Sequence, residues 1–163
     1  MSAFDPEHIL RALARRHVRY VLVGATAARL QGFPRLTADA DITPARDSEN
    51  LERLAAALRD LGARVYTESM PQGLPFSCDA ATLGRAKRWN LVTEGGRVDV
   101  IFEPSGTEGF EDLDRSAVTF EAFGIEVRAA SLEDILRSKE ASSRPQDQQD
   151  VIVLREMLKR PVR

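Results

Sequence analysis

The sequence predicts a mixed α/β domain in which a central sheet is flanked by helices and a short helical part closes the C-terminal end. Three observations carry that expectation. Apolar runs of strand length alternate with segments of helical spacing as far as residue 67, two later pairs of runs are split by glycine turns, and the last thirty residues return to helical patterning.

The elements follow in chain order. Asp5, Pro6 and Glu7 form a helix start, and Ile9, Leu10, Leu13 and Ala14 recur at helical spacing up to the basic group Arg15, Arg16 and His17. "RYVLVG" is a short apolar strand ending at Gly24, and "ATAARLQG" after it has helical composition. "TADADIT" reads as the next strand. Asp47 or Ser48 caps a long helix whose apolar side is Leu51, Leu54, Ala55, Leu58 and Leu61, stopped by Gly62. "ARVYT" is a further strand. From Glu68 to Arg88 the pattern is broken by Pro71, Gly73, Pro75 and Gly84, and no element is read there. "WNLVT", "EGG" and "RVDVIFE" form a hairpin with Val98, Val100 and Phe102 on one face and Arg97, Asp99 and Ile101 on the other. "AVTFEAFGIEVRA" is a second hairpin turning at Gly124. Ser131 and Asp134 open a helix running to about Ala141, and a last helix after Arg144 and Pro145 carries Val151, Leu154 and Leu158 inward.

Composition bounds what the chain can do. Its 163 residues, 43% of them hydrophobic, suit one domain over 1–163, with a core at about 18–130 and C-terminal helices at about 131–160. A formal charge of −2 argues against a bulk polyelectrolyte binder of DNA and leaves local basic patches open. The single cysteine, Cys78, excludes an intramolecular disulfide and a cysteine-rich zinc site, and reads as a small buried residue. The charged start is unlike a secretory signal and no apolar run approaches spanning length, so a cytoplasmic protein with no membrane partner is expected.

The chemistry concentrates in "RLTADADITP". On a strand Asp39 and Asp41 project to one face with Cα atoms about 6.6 Å apart, so two like charges converge. At about 4 Å their repulsion is about 4 kcal/mol at an effective dielectric near 20. Solvation at a strand end, uptake of a proton, an intervening basic side chain or a divalent cation could each offset it. Asp99, in mid-strand, calls for a similar account: an ion pair with Arg97 or Arg88, or a place beside Asp39 and Asp41 in a site of hard oxygen ligands that suits Mg²⁺ better than zinc. Gly24, between strand and helix, leaves following N–H groups free to hold an anion.

Taken together, "VLVGATAARLQGFPRLTADADI", "GRVDVIFEP" and "SLEDILRSKEASSRPQDQQDVIVL" resemble the nucleotidyltransferase superfamily that includes the DNA polymerase β fold. The nearest branch is the small bacterial one containing AbiEii-type toxins of toxin–antitoxin pairs. The ordered motifs are G-x-x-A, R-x-T-x-D-x-D, a later strand aspartate and K-x4-R-x2-D-x2-D, spanning about Tyr20 to Leu158.

That resemblance implies a polymerase β-like fold and a two-metal enzyme that moves an NMP from an NTP to a hydroxyl. Asp39, Asp41 and Asp99 would then hold Mg²⁺ or Mn²⁺, with Asp99 also helping to deprotonate the acceptor. Gly24 with the N–H groups of Ala25 and Thr26 would cradle the β- and γ-phosphates, Arg35 would contact the triphosphate and Thr37 would support the loop. Lys139 would be directed at the nucleotide, with Arg144, Asp147 and Asp150 in the matching helix pair; against that stand a solvated helix face for Lys139 and capping for the two aspartates. The superfamily's Gly-Ser or Gly-Gly is Gly24-Ala25 here, leaving Thr26 to supply a phosphate-binding hydroxyl.

For the acceptor, basic clusters stand at Arg11 to Arg19, at Arg85, Lys87 and Arg88 beside Trp89, and at Lys159, Arg160 and Arg163. The second combines charge with an aromatic ring, which favours RNA, such as a tRNA 3′ end as in the toxin relatives, and a cognate antitoxin as further partner. The alternatives are a small molecule or a protein side chain as acceptor, and a catalytically silent binding module of the same fold.

Overall fold

The computed structural model describes residues 3–35 and 37–160. Asp5 caps α1 (Pro6–Arg15) by accepting the His8 N–H, and Ile9, Leu10, Ala12 and Leu13 form the buried face. Ala14, expected inward, is exposed. It lies about 100° round the helix from Leu13, beyond the apolar stripe.

β1 (Tyr20–Val23) passes through Gly24 into α2 (Gly24–Leu30), and β2 (Asp39–Pro44) begins two residues later than the pattern suggested. Asp47 caps α3 (Ser48–Asp60) through the Asn50 N–H, and all five expected apolar residues, Leu51 to Leu61, are buried. Then come β3 (Arg64–Thr67), β4 (Met70–Leu74), α4 (Ala80–Leu83), β5 (Arg88–Thr93), β6 (Gly96–Ile101) and α5 (Phe110–Asp114). β7 (Val118–Ala122) and β8 (Ile125–Ala129) form the hairpin at Gly124, Ser131 caps α6 (Leu132–Glu140) through the Asp134 N–H, and α7 (Pro145–Lys159) follows.

The strands join one eight-stranded mixed sheet in the order β4-β3-β5-β6-β2-β1-β8-β7. The β2–β6 and β1–β8 pairs are parallel and the others antiparallel. Alternation along the strands sorts the residues: Ala40, Ile42, Val98, Val100 and Phe102 enter the core with Leu51, Leu54 and Leu58 of α3. Each fully buried Leu, Ile or Phe there contributes about 1.5–3 kcal/mol. Burying that side fixes the register, because a one-residue slip would put Asp39, Asp41 and Asp99 into the core. Cys78 is half-buried with its Sγ 3.7 Å from the Ala55 carbonyl, and burial pushes its thiol up to about 11.

Candidate active site

Parallel pairing of β2 with β6 sets Asp41 directly beside Asp99, and Asp39 beside Arg97. The three carboxylates each bring an oxygen to within 4.8 Å of the others. Asp99 is buried, while Asp39 and Asp41 are half-buried.

Among the described residues this charge is only partly neutralised. Arg97 Nη2 lies 3.5 Å from Asp99 Oδ1 and Arg88 Nη2 4.0 Å from Oδ2, both long for charge-assisted bonds. Burial first, then the charges of Asp39 and Asp99, push Asp41 up to about 7, with Arg88 opposing. Asp99 is raised for the same reasons, burial ahead of the Asp39 charge, with Arg97 and Arg88 in opposition. Both ion pairs expected as an alternative for Asp99 therefore exist, yet they leave the cluster under-compensated. Hard, converging and poorly neutralised oxygens are a donor set that fits a divalent cation.

Neighbouring residues hold the cluster in place. Val23 pairs with Asp41 across β1 and β2, so the turn at Gly24 abuts the carboxylate. Gly24 has φ +66°, and a Cβ there would collide with the Asp41 side chain. Only glycine meets both conditions. The Thr37 hydroxyl lies 3.0 Å from both the carbonyl and Oδ1 of Asp39. Thr26 Oγ1 donates to the Asp39 carbonyl at 2.7 Å. This corrects the expectation that Thr26 offers its hydroxyl to a phosphate, because the strand takes it.

The cluster opens into a cleft of about 530 Å³ whose walls include Gly24, Ala25, Arg35, Thr37, Arg88, Lys139, Arg144 and Asp147. Lys139 is not a solvated helix residue: it is buried, with Nζ 3.1 Å from Asp147 Oδ1 and 2.9 Å from Asp150 Oδ2. Arg35 Nη2 reaches the same Asp150 oxygen at 2.7 Å, and Arg144 Nε reaches Asp147 at 2.9 Å. Burial alone would raise Asp147, but hydrogen bonds from Arg144, Ser142 and Lys139 outweigh it and hold the carboxyl at about 2. Asp147 and Asp150 thus act as ion partners rather than caps, and Asp150 is not on the cleft wall. Spacing could not reveal this network, since it ties α6, α7 and the segment before β2 together.

The expected Arg85 to Trp89 patch divides. Arg85 and Lys87 are exposed, and Arg88 reaches the cleft. Trp89 is the correction: neighbours on a strand face opposite ways, and its indole stacks on Phe76 at 5.4 Å while Nε1 donates to the Leu83 carbonyl at 3.0 Å. Arg163 lies outside the described residues. Sequence reading named Arg97 as an ion partner of Asp99 and missed its stack over Tyr66, 3.7 Å from the ring centroid, together with the cleft serines Ser105, Ser138 and Ser142. No local signal marks these.

Comparison with known proteins follows the same lines. A family model described as "Nucleotidyl transferase AbiEii toxin, Type IV TA system" matches residues 8–147. No curated protein sequence matches the chain. Among solved structures, a nucleotidyltransferase-like protein from Thermotoga maritima, TM1012, is 20% identical with a TM-score of 0.54, covering 97% of this chain and 96% of its own. Lincosamide antibiotic adenylyltransferase LnuA, lincomycin-bound, is 17% identical with a TM-score of 0.60, covering 96% and 99%. The antibiotic-resistance factor ANT(2'')-Ia is 21% identical with a TM-score of 0.51, covering 94% and 88%. These likenesses carry the polymerase β-like fold. Among the described residues no helix is long and apolar enough to cross a membrane.

Proposed function

The chain belongs to the AbiEii nucleotidyltransferase family, and from that premise we propose that Asp39, Asp41 and Asp99 are the metal-holding centre of an enzyme that moves an NMP from an NTP to a hydroxyl of RNA. The supporting observation is the convergence of three under-neutralised carboxylates, within 4.8 Å, on a cleft large enough for a nucleotide.

In this reading the acceptor oxygen forms a bond to the α-phosphorus as the bond to the β-phosphate bridging oxygen breaks, and that electron pair leaves with pyrophosphate. Mg²⁺ or Mn²⁺, when bound, supplies the charge that acidifies the acceptor hydroxyl and neutralises the leaving group. Asp99 takes the hydroxyl proton on its way to solvent. Gly24 and Ala25 on the cleft wall, with the N–H group of Thr26 behind them, cradle the phosphates in this reading, and Arg35 on the same wall contacts the triphosphate. Thr37 orients Asp39, while Lys139 with Asp147 and Asp150 fixes α6 against α7 so that Arg144 and Arg35 stay beside the nucleotide.

RNA, with a tRNA 3′ end as the specific case, is favoured by Arg88 at the cleft and by exposed Arg85 and Lys87 just before it. We read the chain as the toxin of a toxin–antitoxin pair acting in the cytoplasm, where NTP and RNA meet. A small hydroxylated acceptor is the second reading, favoured by the cleft's modest volume and by the antibiotic named for LnuA.

The test is incubation with Mg²⁺, each α-labelled NTP in turn and total RNA, cell protein or small hydroxylated compounds, with Asp41→Ala as control. Label in RNA that vanishes in the variant is expected. Label in the other fractions moves the acceptor, and no label with a folded protein refutes the enzyme reading.

A further inference from the structure

The face that carries the triad continues across β6, β5 and β3, whose tertiary contacts are chiefly with one another and with β4 and β2. Register sets the residues in rows. Asn90 pairs with Asp99, which pairs with Asp41, while Arg64 pairs with Val92, Val92 with Arg97, and Arg97 with Asp39. Paired residues share a face, so Arg64, Asn90 and Arg97 look the same way as the triad, joined by Arg88 and Tyr66 two positions along their strands.

The contacts on this face are specific. Arg97 reaches across β5 to set its guanidinium carbon 3.7 Å from the centroid of the Tyr66 ring, with its Nη2 3.5 Å from Asp99, and its buried Nε has no hydrogen-bond partner among the described residues. Arg88 donates from Nε to Asn90 Oδ1 at 3.1 Å and remains about half exposed. Arg88 and Arg97 therefore flank the triad, and Tyr66 with Arg64, whose Nε donates to the Gly73 carbonyl at 3.0 Å, extends the row two strands beyond β6, on a face where β3, β5 and β6 add no further carboxylate, in a chain whose net charge is −2. This is a local cationic surface with a stacking element. A protein acceptor would need apolar area, and among the described residues of β3, β5, β6 and its end, Tyr66 and half-buried Ile101 are the apolar side chains this face leaves accessible.

We propose that this open face is the acceptor platform, which receives a single-stranded RNA end with Arg64, Arg88 and Arg97 at its phosphates and the Tyr66–Arg97 stack under a base. The proposal rests on reading the triad as the transfer centre, because it presents the terminal hydroxyl beside Asp99. Phosphate charge would be met by guanidinium groups, and the base by a π surface that tolerates any sequence.

The test separates binding from chemistry. A short 5′-fluorescein single-stranded RNA is titrated, without NTP, into wild type, Arg64→Gln, Arg97→Gln, Tyr66→Ala, Tyr66→Phe and Asp41→Asn, with anisotropy read at several salt concentrations. Arg64→Gln and Arg97→Gln should each weaken binding and lower the slope of log K against log salt by about 0.7. Tyr66→Ala should weaken it about fivefold or more with the slope unchanged, and Tyr66→Phe should restore it. Asp41→Asn should still bind RNA while transferring nothing. Wild type that does not bind RNA, or binding indifferent to Arg64, Tyr66 and Arg97, overturns the platform. If binding follows the expected pattern but wild type transfers no NMP to any acceptor, the transferase reading fails and the surface stands. Transfer to a small molecule or protein without RNA binding does the reverse.

Discussion

Asp41→Asn is expected to stabilise the protein in the absence of divalent ions even as it removes transfer. Asp41 sits half-buried between Asp39 and Asp99, and its carboxyl is pushed from the ordinary 3.8 up to about 7. Each unit corresponds to about 1.36 kcal/mol, so holding Asp41 ionised costs the fold about 4 kcal/mol at most, similar to the repulsion of two charges about 4 Å apart at an effective dielectric near 20. Water reaching the cleft lowers this, so a gain of about 2–4 kcal/mol at pH 8 is the expectation. The sign follows from the raised value: the stability is present below the ordinary carboxylate range, is lost as pH climbs toward 7, and changes little above. The variant's advantage should accordingly be small near pH 4 and full by pH 8. Urea denaturation in EDTA at both pH values measures it, and added Mg²⁺ should narrow the gap by stabilising wild type alone. A variant no more stable than wild type at pH 8, or one whose advantage is greatest in acid, would refute the reasoning.

Other outcomes follow from the same geometry. Gly24→Ala should cost about 1–2 kcal/mol for its left-handed backbone and should also lower transfer, because its Cβ displaces the Asp41 carboxylate; denaturation and label transfer read the two effects. Lys139→Met removes the cation that Asp147 and Asp150 share, leaving Asp147 to Arg144 and Ser142 and Asp150 to Arg35, and should cost about 1.5–3 kcal/mol in urea denaturation, whereas a solvated lysine would cost under about 0.5. Asp147, held at about 2, should contribute about 2 kcal/mol above the ordinary carboxylate range, lost as pH falls from about 4 to 2. Asp147→Asn should abolish that part of the acid transition in thermal melts.

Much of this was legible where signals are local. Asp5, Asp47 and Ser131 accept the cap bonds that their positions announce, and "RVDVIFE" divides its faces as alternation requires. Asp39 and Asp41 share a face by strand geometry alone. That Asp99 joins them was implied by the family motif, but the parallel β2–β6 register that brings it there is stated by no local pattern. The stretch from Glu68 to Arg88 stayed opaque because β4 contains Pro71 and Gly73 and α4 has only four residues, too short for a periodicity. The Lys139 network and the Arg97 stack over Tyr66 join residues far apart in sequence, so only the folded chain brings them into contact.

The central claim is that the three carboxylates hold the ions that drive NMP transfer. Its most direct test is the Mg²⁺-dependent rate of pyrophosphate release from an α-labelled NTP in the presence of total RNA, with transferred label counted alongside, for wild type and for Asp39→Asn, Asp41→Asn and Asp99→Asn. Since loss of even an outer partner of a metal ligand costs about 10–100-fold, each single variant should fall by about a hundredfold or more, with label and pyrophosphate formed in equal amounts by wild type. A folded variant that keeps its rate within about tenfold of wild type would contradict the account.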